Sequence, residues 1–148
     1  MHRLTPFALL LFLATAVAGP KDLGKLKADA EKAKGGEQAK LYAELADRLV
    51  DVADGEFSQG DASKAQATVQ EILQDATKAH DVALATHDNR KEVEIHLRQT
   101  QRHLESVKQT LAADDRPALD AVESKLAQLR QDLLDSMFAP NHKKKEAK

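Results

Sequence analysis

The chain has 148 residues, 42% hydrophobic and 31% charged, and no cysteine; it can bury the core of one domain, but disulfides, thiolate metal sites, a cysteine nucleophile and c-type haem attachment are excluded. Formal net charge is −2, and setting aside Arg3 and the residues after His142 leaves 17 basic and 23 acidic residues, or −6. A mildly acidic body lacks the broad basic face of a nucleic-acid binder, so no nucleic-acid partner is expected.

Residues 1–18 have the layout of a secretory signal peptide. His2 and Arg3 form a short basic start, Leu4 to Ala18 is nearly continuous apolar sequence, and Ala16-Val17-Ala18 is a small-x-small cleavage site. The run is shorter than the roughly 20 apolar residues that span a bilayer, so cleavage after Ala18 is expected, with no stable membrane insertion afterwards. With no cysteine and no Asn-x-Ser/Thr sequon, the export reading points to a bacterial periplasm or the cell exterior.

Beyond residue 12 the aromatic residues are only Tyr42, Phe57 and Phe138, and the apolar set is mostly Ala, Leu and Val. Helix is therefore the expected class throughout. Residues 19–36 form a charged arm or a short helix with a narrow stripe, Leu23, Leu26, Ala30 and Ala33, stopped by Gly35-Gly36. A helical domain is expected over 37–138. It opens with a helix over 37–54 whose face is Leu41, Leu45, Leu49 and Val52, widened by Ala46 and Ala53. Gly55 is its expected end, and Asp61 or Ser63 can cap the helix that follows.

After Asp61 the apolar residues step by three and four: Ala62, Ala65, Val69, Ile72, Ala76, Ala79, Ala83. The same count then passes Thr86 and Arg90 and lands on Val93, Leu97, Thr100, Leu104, Val107 and Leu111. One helix about 75 Å long would satisfy that phase. His87-Asp88-Asn89 interrupts it, however, and Asn89-Arg90-Lys91-Glu92 reads as a capping box for a new helix; a break near 87–90 is favoured. Ala112 to Arg116 is a turn, with Asp114 or Asp115 as cap and Pro117 in a first helical turn. The last helix carries Leu119, Val122, Leu126, Leu129 and Leu133, with Met137 extending the face. Residues 139–148 form a Lys-rich tail, expected to be disordered.

The expected fold is thus all-α, built of antiparallel hairpins, 37–54 on the start of the long segment and 91–112 on 117–138. These make a four-helix bundle if the chain folds back near 88, or two hairpins sharing one long central helix if it does not. Leu49, Ala53, Phe57, Gly60, Ala65, Val69 and Ile72 resemble one tetratricopeptide helical hairpin over about a quarter of the chain. The resemblance implies a peptide-binding groove rather than an enzyme, although no second copy follows at the repeat period.

Chemistry is sparse. His80 and His87 are seven apart, as are His96 and His103, about 10 Å along a helix and too far for one metal. The closest metal option is Glu92 with His96 one turn on, plus a ligand from another helix, with His103 a separate candidate. Each of these histidines sits one residue before a seam leucine, at the seam's edge. No nucleophile–base constellation, phosphate loop or dinucleotide fingerprint is present, so no catalytic residue and no cofactor is assigned. Arg98 and Arg102, with Lys91 and Lys108, line one side of the third segment as a solvated, salt-bridged face. The reading that follows is a non-catalytic, exported protein-interaction or structural module whose partner is another protein or a second copy of itself through coiled-coil-like heptads. A metal- or small-ligand-binding helical bundle is the alternative.

Overall fold

A computed structural model describes residues 20–139, so the signal peptide expected over residues 1–18 and the tail beyond Ala139 lie outside the described residues. Among the described residues there are five helices and no strand: α1 Pro20–Lys32, α2 Gly35–Ser58, α3 Ala62–Thr86, α4 Arg90–Thr110 and α5 Arg116–Phe138. None is long and apolar enough to cross a membrane.

The helix ends follow local chemistry, not always the chemistry expected. Gly55 does not end α2. The helix runs through it to Ser58, and Gly60, at φ +79°, supplies the left-handed residue of the stop. The N–H groups of Gly60 and Asp61 bond the carbonyls of Phe57 and Glu56, a Schellman closure. Asp61 then caps α3, its carboxylate accepting from the Lys64 N–H. Gly35-Gly36 open α2 rather than merely stopping α1, with Gly35 at φ +62°. Asp115 occupies the N-cap of α5, but its side chain makes no capping bond there.

The long phase-locked segment is two helices. His87 and Asn89 both adopt left-handed conformations, φ 58° and 54°, and reverse the chain without glycine or proline. The expected capping box does not form: Asn89 makes no side-chain cap bond, because a left-handed Asn89 lacks the extended backbone that aims a capping side chain at the first turn. Its amide lies instead against α2. A Cβ on Gly36 would stand 3.0 Å from Asn89 Nδ2 and 2.6 Å from Asp88 Cβ, so the absence of a side chain at Gly36 is what lets the turn approach.

The seams are buried almost residue by residue. Ala65, Val69, Ile72, Ala76, Ala79 and Ala83 of α3, Val93, Leu97, Thr100, Leu104 and Val107 of α4, and Leu119, Val122, Leu126 and Leu133 of α5 are all inside. On α2 the inner face is rotated from the expected one. Ala39, Tyr42, Ala43, Leu45, Ala46, Leu49, Val50 and Ala53 are buried, while Leu41 and Val52 are only half-buried at its border. The rotation arises because α2 is covered by α1, α3 and α4, which needs a wider apolar arc than one seam. Leu26 and Ala30 of α1 join the same apolar cluster.

Helix α2 packs most extensively on α3, and α4 on α5; α2 also lies beside α4, and α3 beside α5. Directions follow from the polar contacts. Arg90 at the start of α4 donates to the Ser136 carbonyl near the end of α5, while Lys108 near the end of α4 pairs with Asp120 near the start of α5. Those two helices are antiparallel. Thr68 donates to Glu56 and Lys78 sits 5.0 Å over the Tyr42 ring, which makes α2 and α3 antiparallel too.

Candidate functional site

A cleft of about 370 Å³ lies between α4 and α5, lined by Arg98, Gln101, Arg102, Glu105, Glu123 and Arg130. The four α4 residues recur at steps of three and four, a ridge beside the buried Leu97–Leu104 seam. Glu123 and Arg130 stand two turns apart on α5, each one residue past an inward position, Val122 and Leu129. The seam therefore fixes which charges meet across the cleft.

Beneath the arginines lies Glu94, 6% exposed. One of its oxygens accepts from Arg130 Nε at 3.1 Å and Nη2 at 2.9 Å, and the other lies 3.5 Å from Arg98 Nη2. Arg130 Nη1 donates to Gln101 at 2.8 Å. A carboxylate taken out of water costs several kcal/mol unless paired and hydrogen-bonded. The two-pronged bond from Arg130 meets that cost and holds its guanidinium plane in one orientation. Arg102 makes no ion pair or hydrogen bond among the described residues.

The other end of the cleft is acidic, with one ammonium among three carboxylates. Lys108 gathers Glu105, Asp120 and Glu123, with Asp120 at 2.8 Å and Glu123 at 2.6 Å. Hydrogen bonds to Asp120, then to Glu105 and Glu123, hold the ammonium well above the ordinary lysine range. Burial is the leading influence on Glu123 and pushes its carboxyl up against the opposing pull of Lys108. Its second oxygen is buried with no partner.

The histidines occupy other edges. His96 and His103 border α2, where Asp51 lies 3.3 Å from His103 Nε2. Asp47 between them is raised by burial, an effect opposed by His103 and then His96. His96 Nδ1 is buried without a hydrogen bond. Glu92 is exposed; it is not brought together with His96 and His103, and no group of three His, Asp or Glu placed to hold a metal occurs among the described residues. His80, seven residues from His87, is buried between α3 and α5, its Nδ1 2.8 Å from Asp81 and its Nε2 3.5 Å from Asp132.

Of the tetratricopeptide-like residues, Leu49, Ala53, Ala65, Val69 and Ile72 are buried, Phe57 is half-buried, and Gly60 lies in the turn between α2 and α3. No protein-family model, curated protein or solved structure matches the chain. Arg98 and Arg102 were legible as one charged helix face. Glu94 and Arg130, which organise that face, were not, since the pairing of 94 with 130 depends on which helix lies alongside. The available signal was position: each follows a seam residue, where a long polar side chain meets the neighbouring helix.

Proposed function

We propose that this chain is an exported, non-catalytic helical module, a four-helix bundle of α2 to α5 with α1 laid across α2, that recognises another protein through its α4–α5 face. The observation that carries the reading is the buried Glu94, which holds Arg130 and Arg98 beside an unpaired Arg102 at the rim of a cleft. A charge buried in this way costs stability unless geometry compensates, and here its effect is to fix an arginine surface. Recognition by fixed polar groups also suits the rest of the surface. Phe138 is the one exposed large hydrophobic side chain among the described residues, so an apolar strip for pairing two copies has no support there and a polar-faced heterologous partner is preferred.

Native mass spectrometry of the protein recovered from its own compartment tests this. The expected spectrum shows a chain beginning at Gly19 in a discrete complex with another protein. A chain retaining residues 1–18 would contradict the export reading. A stoichiometric metal or small molecule would favour the ligand-binding bundle and direct mutagenesis to His96, His103 and Glu92.

A further inference from the structure

We propose that the arginine end of the α4–α5 cleft is a carboxylate-binding subsite, in which Arg98, Arg102 and Arg130 receive one isolated Glu or Asp side chain of the partner. This rests on the reading of the α4–α5 face as the recognition surface. The unspent hydrogen-bond donors of the cleft lie at this end. A guanidinium has five N–H donors. Arg102 spends none within the described chain, and Arg98 spends only the 3.5 Å contact to Glu94. Arg130 is the fixed member, tied by three bonds to Glu94 and Gln101. Arg98 and Arg102 are one helical turn apart, with Cβ atoms about 5–6 Å from each other. Two forks at that spacing can grip the two oxygens of a planar carboxylate from one side while Arg130 faces it from α5.

Local charge selects the ligand further. Three arginines stand over one buried glutamate, and the acidic end alongside, Glu105, Asp120 and Glu123 around the single Lys108, keeps negative charge in excess. The arginine end therefore attracts an anion, and the excess carboxylates alongside limit it to a single charge. A dianionic phosphate would meet Glu94 beneath it and Glu105 alongside, and a run of adjacent acids would be repelled by Glu105 and Glu123. The fitting segment carries a single acidic residue between uncharged neighbours.

The test is a titration of the isotope-labelled chain, followed by the amide resonances of Arg98 to Arg102 and of Arg130. The probes are acetyl-Gly-Glu-Gly-amide, its Gln counterpart and inorganic phosphate, all at one low ionic strength. The Glu peptide is expected to give saturable shifts at these amides. The Gln peptide and phosphate should bind about tenfold more weakly or worse. Arg102→Gln, a change at an exposed position, should abolish the response without altering the rest of the spectrum, and Lys64→Gln, which removes an exposed cation on α3, should leave it intact. Equal shifts from the Gln peptide, tighter binding of phosphate, or an undiminished response in Arg98→Gln/Arg102→Gln would overturn the assignment. A discrete protein partner in the native spectrum with no response to the Glu peptide overturns the subsite and leaves the broader reading standing. A saturable Glu response with no protein partner overturns the partner's role and makes the subsite one for a small acid.

Discussion

The two hairpins solve the same packing problem with side chains of different size. The buried sets of α2 and α3 are alanine-rich, with Ala39, Ala43, Ala46 and Ala53 on one and Ala65, Ala76, Ala79 and Ala83 on the other beside larger residues such as Leu45, Leu49 and Ile72, and these two helices pack together more extensively than any other pair. Between α4 and α5 the seam is Val93, Leu97, Leu104 and Val107 against Leu119, Val122, Leu126 and Leu133. Larger side chains hold those axes farther apart. The close pair leaves little room at its flank, where Glu56 is buried under Thr68. The wider pair leaves a flank that charged side chains line without filling, and the cleft lies there. Seam volume, chosen for packing, thus decides which side of the molecule can present a recessed polar surface.

Opposite substitutions should damage the two seams. Leu126→Ala, fully buried in α5, should cost about 2–5 kcal/mol through lost transfer energy and an unfilled cavity, read as a lowered urea midpoint. Ala76→Leu on the close seam should cost about 1–3 kcal/mol by overpacking. A smaller loss at Leu126 than at Ala76 would show that the size difference between the seams is not what holds them.

Smaller effects sharpen the contrast through charge and backbone. Asp75 of α3 is buried with one oxygen unpartnered, and burial is the first cause of its raised pKa, with Lys78 opposing. A carboxyl that holds its proton more tightly folded than unfolded adds stability as pH falls through its folded pKa towards 3.8, the unperturbed value. Asp75→Asn should therefore stabilise the protein by about 1 kcal/mol near neutral pH and lose that advantage near about pH 4, measured as urea midpoints at the two conditions. Asp47 and Glu123, also raised by burial, act with the same sign. Glu105 is lowered, chiefly by its hydrogen bond to Lys108, and acts oppositely, but it is exposed and solvent screens it. The smallest effect is expected at the turn. His87→Gly relieves a left-handed backbone and should raise the melting temperature slightly, by no more than about 1 kcal/mol of stability, whereas glycine at Asp88 has no such strain to relieve.

The seams themselves were legible because most inward positions on α3, α4 and α5 are apolar or small at steps of three and four; the buried Asp75, His80 and Glu94 beside them were not. The α2 face was misplaced by part of a turn: its outer alanines and Tyr42 become interior only because α1 and α4 cover it too, a tertiary fact with no local signature. The retained phase across 86–90 was compatible with one helix, and the reversal depends on two non-glycine residues in left-handed conformations, which sequence marks faintly. Polar pairs across helices, Glu94 with Arg130 and Lys108 with Glu123, needed the neighbour's identity before they could be read.

The most direct test of the central claim, that the wider hairpin carries recognition, is a photo-crosslinking amino acid placed at Gln101 in the cleft or at Gln70 on the exposed side of α3, irradiated in the protein's own compartment. The account predicts one discrete adduct from position 101, lost on adding Arg102→Gln, and none from position 70. An adduct from position 70 with none from position 101 would move recognition to the alanine-seamed hairpin and contradict the account.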